Sequence, residues 1–441
     1  MKKVLIITYY WPPAGGSGVQ RWLKFSKYLG EFGWEPIIVT TKKGTYPLLD
    51  PSLEADVPKG LKVHKTSSLE YLQIFSMITG NKNPISVGMI GISESKSSFI
   101  TRMGKYIRAN FLLPDARKGW NNYAYKKAAK IIKSENIDII ITTGPPHSTH
   151  LVGQKLKKNF NVKWIADFRD PWVNIYYNKY LPRTEQTIEK DIIMEREVIT
   201  GADKVITVSK LLKLDLERHN GSFEVIYNGY DQEDIYETDT LFPKEKFSIS
   251  HIGNFIRDYD CESLWNSILE MEKKYPGFGD HFELSFTGPV DSVAIESLNK
   301  FNLMKYIRLS KYVAHKEATQ IMWEASLLLF IIPRDKNNKL IISGKIFEYI
   351  AARTPILSIG PIDGEIALIL QNIGREPMAD YEDQAGIMEV IEKYYKLWLE
   401  AGKIQFKHES GETEQFSRRS LTKQLSTVLN EVSDVITINR N

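Results

Sequence analysis

The sequence of 441 residues has one cysteine, Cys261. That excludes a disulfide framework and a zinc site built from cysteines, and it fits a protein of the reducing cytoplasm. Long apolar runs are missing too. The best of them, Ser326 to Pro333, has the length of a strand and falls short of the ~20 residues that a membrane span needs. The apolar run at the N-terminus is too short for a secretory signal and lacks a small-residue cleavage site.

The sequence also lacks a strong charge of one sign. Its 58 basic and 54 acidic side chains leave a net charge of +4, which does not by itself indicate nucleic acid, so we expect no nucleic-acid partner. With 42% hydrophobic and 25% charged residues, the composition is that of a globular protein and excludes disordered, collagen-like and coiled-coil chains. At ~150 residues per domain, the length predicts two or three domains.

Short apolar runs alternate with amphipathic stretches along most of the chain. Because the runs are apolar at consecutive positions, they predict parallel strands that helices cover on both faces. We expect an α/β protein with two Rossmann-like, doubly wound domains facing a central cleft, at 1–235 and 245–400, joined by a polar linker at 231–246. The predicted strands are 4–8, 36–40, 137–142, 162–167, 204–208, 224–226, 247–252, 282–287, 307–309, 327–332 and 356–358.

The segment 73–119 breaks this alternation. It mixes apolar residues such as Met89 and Phe99 with bases such as Arg102 and Lys105. One interpretation is an amphipathic surface element that makes peripheral contact with a membrane. The other is a helical insertion packed on the first domain.

A glycine-rich turn follows the first predicted strand and opens the first predicted helix. Gly15, Gly16 and Gly18 remove side chains where backbone N–H groups meet the positive end of a helix, which suits a phosphate or a sugar oxyanion. The turn is neither G-x-G-x-x-G nor a Walker motif. A turn needed only for packing remains the alternative.

Two other strand ends of the first domain carry polar residues. His147 and Ser148 lie between a strand and a helix, where Ser148 could cap the helix and His147 could face the cleft or be buried. Asp167, Arg169 and Asp170 cluster at the end of a buried strand. A structural ion pair and a helix cap are the alternatives, but a charge cluster at a strand end in a cleft is an expected place for catalysis.

The second domain has a weak motif and a stronger one. Asp258-Tyr-Asp260 matches the D-x-D pattern of some metal-dependent enzymes, but we interpret it as a solvated turn. In Ser343–Leu357, Gly344 precedes a helix on which Lys345 and Glu348 share one face. The pair could be a surface ion pair. Alternatively, a carboxylate that accepts ribose hydroxyls beside a cation for phosphate is a way to hold a nucleotide.

Several of these motifs, in this order, resemble the retaining glycosyltransferases of family 4, which have the GT-B fold. The resemblance covers nearly the whole chain. Its N-terminal form, Tyr9–Gly16, is similar to bacterial members that build surface polysaccharides. Its motifs are the Gly-Gly loop, Val208-Ser209, Tyr227–Asp231, Gly253 after the first strand of the second domain, and Lys345–Ala352.

The resemblance implies an acceptor site on the first domain and a donor site on the second, with a final helix, about 415–441, that returns to the first domain. Glu348 matches the glutamate that binds the donor's ribose, and Gly16 the loop glycine near its diphosphate. The implied sets are Gly15, Gly16, Gly253, Asn254, Gly344 and Glu348 for the donor; His147 and Ser148 for the acceptor; and Asp167, Arg169, Asp170, Arg257 and Lys345 for catalysis.

Three positions depart from the family pattern. Leu340 stands where the family has the first glutamate of its E-x7-E pair. Arg257 is present for the donor diphosphate, but no lysine follows it before Leu264, and Lys345 is the candidate substitute. Arg169 stands where many members have a histidine. Since a guanidinium cannot act as a base at neutral pH, we expect it to position substrate or stabilise charge.

The resemblance implies transfer of a sugar from a nucleoside-diphosphate sugar to an acceptor hydroxyl with retention of configuration, in capsule, O-antigen or other surface polysaccharide synthesis. The acceptor would be a sugar or a lipid-linked saccharide. No cofactor and no metal are expected beyond the donor itself. The expected location is the cytoplasm or the inner face of the membrane. A nucleotide-sugar epimerase of the same fold and a non-catalytic homologue are the alternatives.

Overall fold

The computed structural model describes residues 1–46, 48–71, 73, 99–235, 245–402 and 413–438. Most of the predicted insertion at 73–119 and most of the predicted linker at 231–246 lie outside these ranges. The chain divides into two units, Met1–Asn228 with Arg418–Asn441, and Gly229–Ser417. The division lies close to the predicted boundaries at 235 and 415.

The first unit contains a seven-stranded parallel sheet in the order β3-β2-β1-β4-β5-β6-β7. Its strands are β1 Lys2–Ile7, β2 Trp34–Thr41, β3 Lys62–Thr66, β4 Ile139–Gly144, β5 Lys163–Phe168, β6 Lys204–Thr207 and β7 Phe223–Val225. Its helices are α1 Ser17–Tyr28, α2 Phe99–Phe111, α3 Asn121–Glu135, α4 Ser148–Asn159, α5 Glu185–Gly201 and α6 Lys210–Leu216. The chain order reverses direction between β1 and β4, which is where an open sheet of this kind binds ligands.

The second unit contains a five-stranded parallel sheet in the order β10-β9-β8-β11-β12, which reverses between β8 and β11. Its strands are β8 Phe247–Ile252, β9 Phe282–Thr287, β10 Ile307–Ser310, β11 Leu327–Ile331 and β12 Ile356–Ile359. Its helices are α7 Glu262–Lys274, α8 Phe278–His281, α9 Ser292–Lys300, α10 His315–Glu324, α11 Lys345–Ala351, α12 Glu365–Asn372 and α13 Gln384–Ala401.

The last helix, α14 Arg418–Ile438, belongs to the first unit. Its leucines Leu421, Leu425 and Leu429 repeat every four residues, which places them on one face. All three are fully buried in a core that also contains Trp22 of α1. The helix therefore packs in the core of the first unit, although it follows the second unit in the sequence.

Each sheet is the centre of its own apolar core. Val4, Ile6, Ile139, Ile141 and Ile165 contribute to the core of the first unit. Because successive side chains of a strand point to opposite faces, strands buried on both faces have continuous apolar sequences. The α/β fold with two Rossmann-like domains, predicted from those runs, is confirmed. None of the described helices has the length and hydropathy to cross a membrane.

Candidate functional site

In the first unit, the predicted site residues follow β1, β4 and β5, near the reversal of strand order. Asp167, in β5, is fully buried. Its carboxylate accepts hydrogen bonds from Arg21 Nε and Nη2, Trp22 Nε1 and Thr143 Oγ1. With both oxygens occupied and no exposed surface, Asp167 cannot contact a sugar hydroxyl in this geometry. The expectation of a substrate contact is corrected to a structural role, because Asp167 ties β5 to α1.

Arg169 lies against the start of α1. Its Nε donates to Thr143 Oγ1 at 3.0 Å and its Nη2 donates to the Pro145 carbonyl. A Cβ at Gly18 would overlap Nη1, so Gly18 is what allows the guanidinium to approach the helix. Burial lowers the pKa of Arg169, but a guanidinium stays charged at neutral pH. The first turn of α1 begins after Gly16, which has a φ of 97°. Residues with a side chain rarely adopt this φ. A cation therefore lies beside the positive end of a helix.

The carboxylate of Asp170 is exposed and makes no hydrogen bond with the described residues. It lines a cavity of about 240 Å³ in the first unit. Surrounding protein desolvates the carboxylate and raises its pKa, while Arg169 acts in the opposite direction. Asp170 is thus available to accept a hydrogen bond from a ligand hydroxyl.

Apolar and polar residues line the cavity in similar numbers. The apolar ones include Ala109 of α2, Leu112, Leu113, Pro114 and Leu181. The polar ones include Tyr10, Arg108 and Asp170. The lining is therefore more polar than that of a typical small-molecule site, which is largely apolar with a few polar groups that orient the ligand.

His147 lines the same cavity but is nearly fully buried. Its ring stacks on Trp172 with 5.1 Å between centroids, and its Nε2 lies 3.2 Å from the Pro171 carbonyl. Since a carbonyl only accepts, Nε2 carries the hydrogen. Burial, with His150 and Arg169 nearby, holds the pKa of His147 well below its usual value, so the ring is neutral.

Ser148 is buried, and Asp115 occupies its polar groups. The backbone N–H and the hydroxyl of Ser148 both donate to the Asp115 carboxylate at 2.8 Å. Ser148 does not line the cavity, and it is the first residue of α4 rather than its cap. The expected acceptor contact at Ser148 is therefore corrected: the residue anchors Asp115, which does line the cavity.

In the second unit, Gly253 follows β8 at the reversal of strand order. Its φ of 106° is strained for a residue with a side chain, and a Cβ there would overlap the Lys345 ammonium group. Lys345 thus extends from α11 across the end of β8. Burial lowers the pKa of Lys345 to about 8, although Glu348 opposes that shift. Its Nζ makes no hydrogen bond with the described residues, so its charge is available to a ligand.

Glu348, one turn after Lys345 on α11, is held by a histidine. His315 Nε2 lies 3.1 Å from Glu348 Oε1. Within the described chain, Glu348 Oε2 accepts no hydrogen bond. A carboxylate can accept through both oxygens, so one of them remains for a ligand hydroxyl. Gly344 directly precedes α11, as the sequence predicted.

Asn254 and Arg257 follow Gly253 and are both exposed. The guanidinium group of Arg257 makes no ion pair or hydrogen bond with the described residues. Two cations, Lys345 and Arg257, therefore lie near the end of β8, and no carboxylate of the described ranges is bound directly to either. A diphosphate is a ligand of matching charge.

Comparison with known proteins gives a family match and similar solved structures. Residues 90–234 match the family model described as Glycosyltransferase Family 4, while no curated protein matches the sequence. Sucrose-phosphate synthase from Thermosynechococcus elongatus is similar over 99% of this chain and 100% of that chain, with 14% identity and a TM-score of 0.61. Its two Rossmann-like domains correspond to the two sheets described above. The fold is GT-B.

Two further GT-B structures are similar at 11% identity. WaaG, a glycosyltransferase involved in lipopolysaccharide biosynthesis, covers 96% of this chain and 99% of its own, with a TM-score of 0.52. A putative UDP-N-acetylglucosamine 2-epimerase from Listeria monocytogenes covers 98% of this chain and 97% of its own, with a TM-score of 0.51. At these identities the likeness shows the GT-B fold and leaves the activity open.

Two further positions were singled out in the sequence of this GT-B chain: the D-x-D pattern, as a possible metal site, and Leu340, where the family has a glutamate that contacts the donor sugar. Asp260 of the D-x-D pattern accepts a hydrogen bond from Trp265 Nε1 at 2.8 Å. Within the described ranges, no three His, Cys, Asp or Glu side chains gather into a group that could hold a metal ion. Leu340 ends a short 3-10 turn, Asn338–Leu340, and is partly exposed.

Sequence reasoning missed several residues that the structure brings to these sites. Tyr10 and Arg108 line the cavity of the first unit, and His315 contacts Glu348 in the second. The position of Tyr10, just before the glycine-rich turn, could have drawn attention to it. His315 had no local signal, because its partner is distant in sequence.

Proposed function

We propose that this protein transfers a sugar from a nucleoside-diphosphate sugar to an acceptor hydroxyl with retention of configuration. The observation that carries the proposal is the arrangement at the end of β8. There Lys345 overlies Gly253, Glu348 offers one carboxylate oxygen, and the exposed guanidinium group of Arg257 has no partner among the described residues. The match of residues 90–234 to Glycosyltransferase Family 4 supports the class of reaction.

In this proposal the second unit binds the donor. Glu348 accepts hydrogen bonds from ribose hydroxyls, while Lys345 and Arg257 bind the diphosphate beside Gly253, Asn254 and Gly344. Negative charge grows on the leaving diphosphate in the oxocarbenium-like transition state, so fixed cations stabilise that state more than the ground state. We propose that these two cations supply the charge without a metal ion or other cofactor.

The acceptor is proposed to bind the cavity of the first unit. Asp170 would accept a hydrogen bond from an acceptor hydroxyl, and Tyr10 and His147 would line the bound sugar. Arg169 and the first turn of α1, after Gly15 and Gly16, would stabilise an oxyanion. Arg169 is not the proton acceptor. In the mechanism usually proposed for the resembled family, a leaving-phosphate oxygen takes the acceptor proton and no protein base is required.

Helix α2 supports an amphiphilic, lipid-linked acceptor. Met103, Ile107 and Phe111 follow one another at intervals of four residues and are exposed, while Arg108 and Ala109 line the cavity. One helix thus has an apolar outward face and a face toward the proposed acceptor site, with Arg102 and Lys105 close by. We propose peripheral contact of α2 with the inner face of the membrane and a role in surface polysaccharide synthesis.

The test is a screen of nucleoside-diphosphate sugars by thermal shift and calorimetry, followed by transfer assays. A donor should raise the melting temperature, because a ligand that binds only the folded state stabilises it. Transfer to a lipid-linked saccharide, with the anomeric configuration of the product read by NMR, would support the proposal. E348A and R257A should each reduce transfer sharply, and unchanged activity in either would contradict its assignment.

Incubation with the donor alone separates the rival functions. An epimerised sugar nucleotide formed without acceptor would replace the proposal with the epimerase alternative, which the fold of the Listeria structure also permits. Failure of every nucleotide and sugar nucleotide to bind would favour a non-catalytic homologue.

A further inference from the structure

His315, the first residue of α10, lies between two carboxylates. Its Nε2 is 3.1 Å from Glu348 Oε1, and its Nδ1 is 3.9 Å from Asp234 Oδ2. Asp234 ends a short 3-10 turn, Gln232–Asp234. The side chains of Asp234, His315 and Glu348 are 22%, 18% and 19% exposed, so all three are mostly removed from water.

The geometry determines where the hydrogen lies. A carboxylate is only an acceptor at neutral pH, so the contact of His315 Nε2 with Glu348 requires a hydrogen on Nε2. Asp234 Oδ2 faces the opposite ring nitrogen, Nδ1, at ion-pair distance, so the imidazole lies between the two carboxylates. A histidine oriented by a second carboxylate is held more firmly than one that makes a single contact.

The contact restricts Glu348. A glutamate side chain on the surface of a short helix has several rotamers, and ordering it for a ligand costs conformational entropy. Because His315 binds Oε1, the carboxylate is already ordered, and its Oε2 is presented for the next hydrogen bond. Lys345, one turn earlier on α11, is a charged neighbour of Glu348.

We propose that His315 is a positioning residue that orders Glu348 for the ribose of the donor nucleotide. The inference rests on the proposed function, because it requires a ribonucleotide on the second unit. It goes further by placing the recognition of ribose in a His315–Glu348 pair, steadied by Asp234, instead of in the glutamate alone.

Affinity for matched ligands tests the pair. Calorimetry on the full chain compares UDP, GDP and ADP with their 2′-deoxy and 3′-deoxy counterparts. Hydrogen bonds to charged groups contribute strongly to binding. We therefore expect the ratio of wild-type affinities, the best ribonucleotide over its deoxy form, to be about 10 or more. In E348A and H315A this ratio should fall toward one, while affinity for the deoxy ligand stays near that of wild type.

Two variants distinguish a positioning role of His315 from a general disturbance of the fold. H315Q keeps a donor near the position of Nε2 and should restore most of the ratio. H281A removes an exposed histidine at the end of α8 in the same unit and should leave the ratio unchanged. An H315A protein that keeps the wild-type ratio, or that loses affinity for both ligand forms equally, overturns the inference.

The same experiment distinguishes failure of the proposed function. If wild type binds neither these three diphosphates nor any nucleotide of the thermal-shift screen, the proposed function fails and the inference fails with it. If wild type binds a diphosphate but does not discriminate against the deoxy forms, nucleotide binding stands and the role of His315 is overturned.

Discussion

Arg21 and Asp167 form an ion pair in which neither side chain reaches solvent, with 3.0 Å between Arg21 Nη2 and Asp167 Oδ1. Arg21 Nη1 also donates to the Tyr227 carbonyl at 2.9 Å. The pair therefore connects α1, β5 and the chain after β7. Asp170, a few residues beyond Asp167, is exposed instead and faces the cavity. Asp167 and Asp170, three residues apart, thus have different environments.

Replacing Asp167 should destabilise the protein. D167N leaves the Arg21 guanidinium buried without its counter-charge, and removing one partner of a buried pair costs about 3–5 kcal/mol. D170N changes an exposed carboxylate and should alter the free energy of unfolding by less than about 0.5 kcal/mol, while transfer activity falls. Chemical denaturation followed by tryptophan fluorescence measures both variants. A D167N protein as stable as wild type would contradict the structural role of the pair.

The sequence predicted the fold, but it did not distinguish the buried Asp167 from the exposed Asp170. Apolar runs such as Ile139–Gly144 predicted the strands because burial on both faces leaves a local pattern. The same runs placed Gly15, Asp170 and Gly253 after the ends of parallel strands, where ligand sites are expected; their roles stay predictions. Asp167 and Asp170 have similar local sequence, and only the approach of Arg21 and Trp22 from α1 buries one of them.

Contacts between distant residues were the main omission. His315 and Glu348 are brought together by the packing of α10 and α11, which no periodicity records. Similarly, the exclusion of Ser148 from the cavity depends on Asp115. Local patterns identify positions that can be functional, and tertiary neighbours decide which of them are.

Gly18→Ala should reduce transfer by displacing Arg169. A methyl group there would overlap Arg169 Nη1, and the end of a long side chain can move without disturbing the fold. R169A should lower kcat by about 100-fold, as expected for loss of one preorganised electrostatic group, and G18A should act in the same direction to a smaller extent. Steady-state kinetics with the donor measure both.

A matched glycine controls for the added methyl group. In G30A the nearest contact of the new Cβ would be Met1 Cε at 3.8 Å, an ordinary packing distance, so transfer should match wild type. If G18A and wild type had equal kinetics, transfer would not depend on the position of Arg169 beside α1.

Nucleotide affinity should decrease as the pH rises through about 8. Lys345 is charged below its pKa of about 8, so the free protein progressively loses this phosphate-binding cation above that pH. The loss approaches tenfold in affinity per pH unit for one required proton. Calorimetry of UDP, GDP or ADP from pH 7 to 9 measures it. K345R, which stays charged, should give a flatter profile, and the matching nucleoside without phosphates should show no such dependence in wild type. Identical profiles for wild type and K345R would exclude Lys345 from the phosphates.

Helix α2 should bind anionic vesicles through its outward face. Phe111 is 66% exposed and Ile107 is 42% exposed, and F111D or I107D would place a negative charge where apolar side chains meet the lipid. Flotation with phosphatidylglycerol vesicles should show strong loss of binding in both variants and weaker binding of wild type at high salt, because nearby bases such as Arg102 are screened.

L399D is the control. It changes a leucine on α13 that is 54% exposed, and the variant should bind vesicles like wild type. If F111D and I107D bind vesicles as wild type does, α2 is not the membrane contact; if L399D loses binding equally, the loss is not specific to α2.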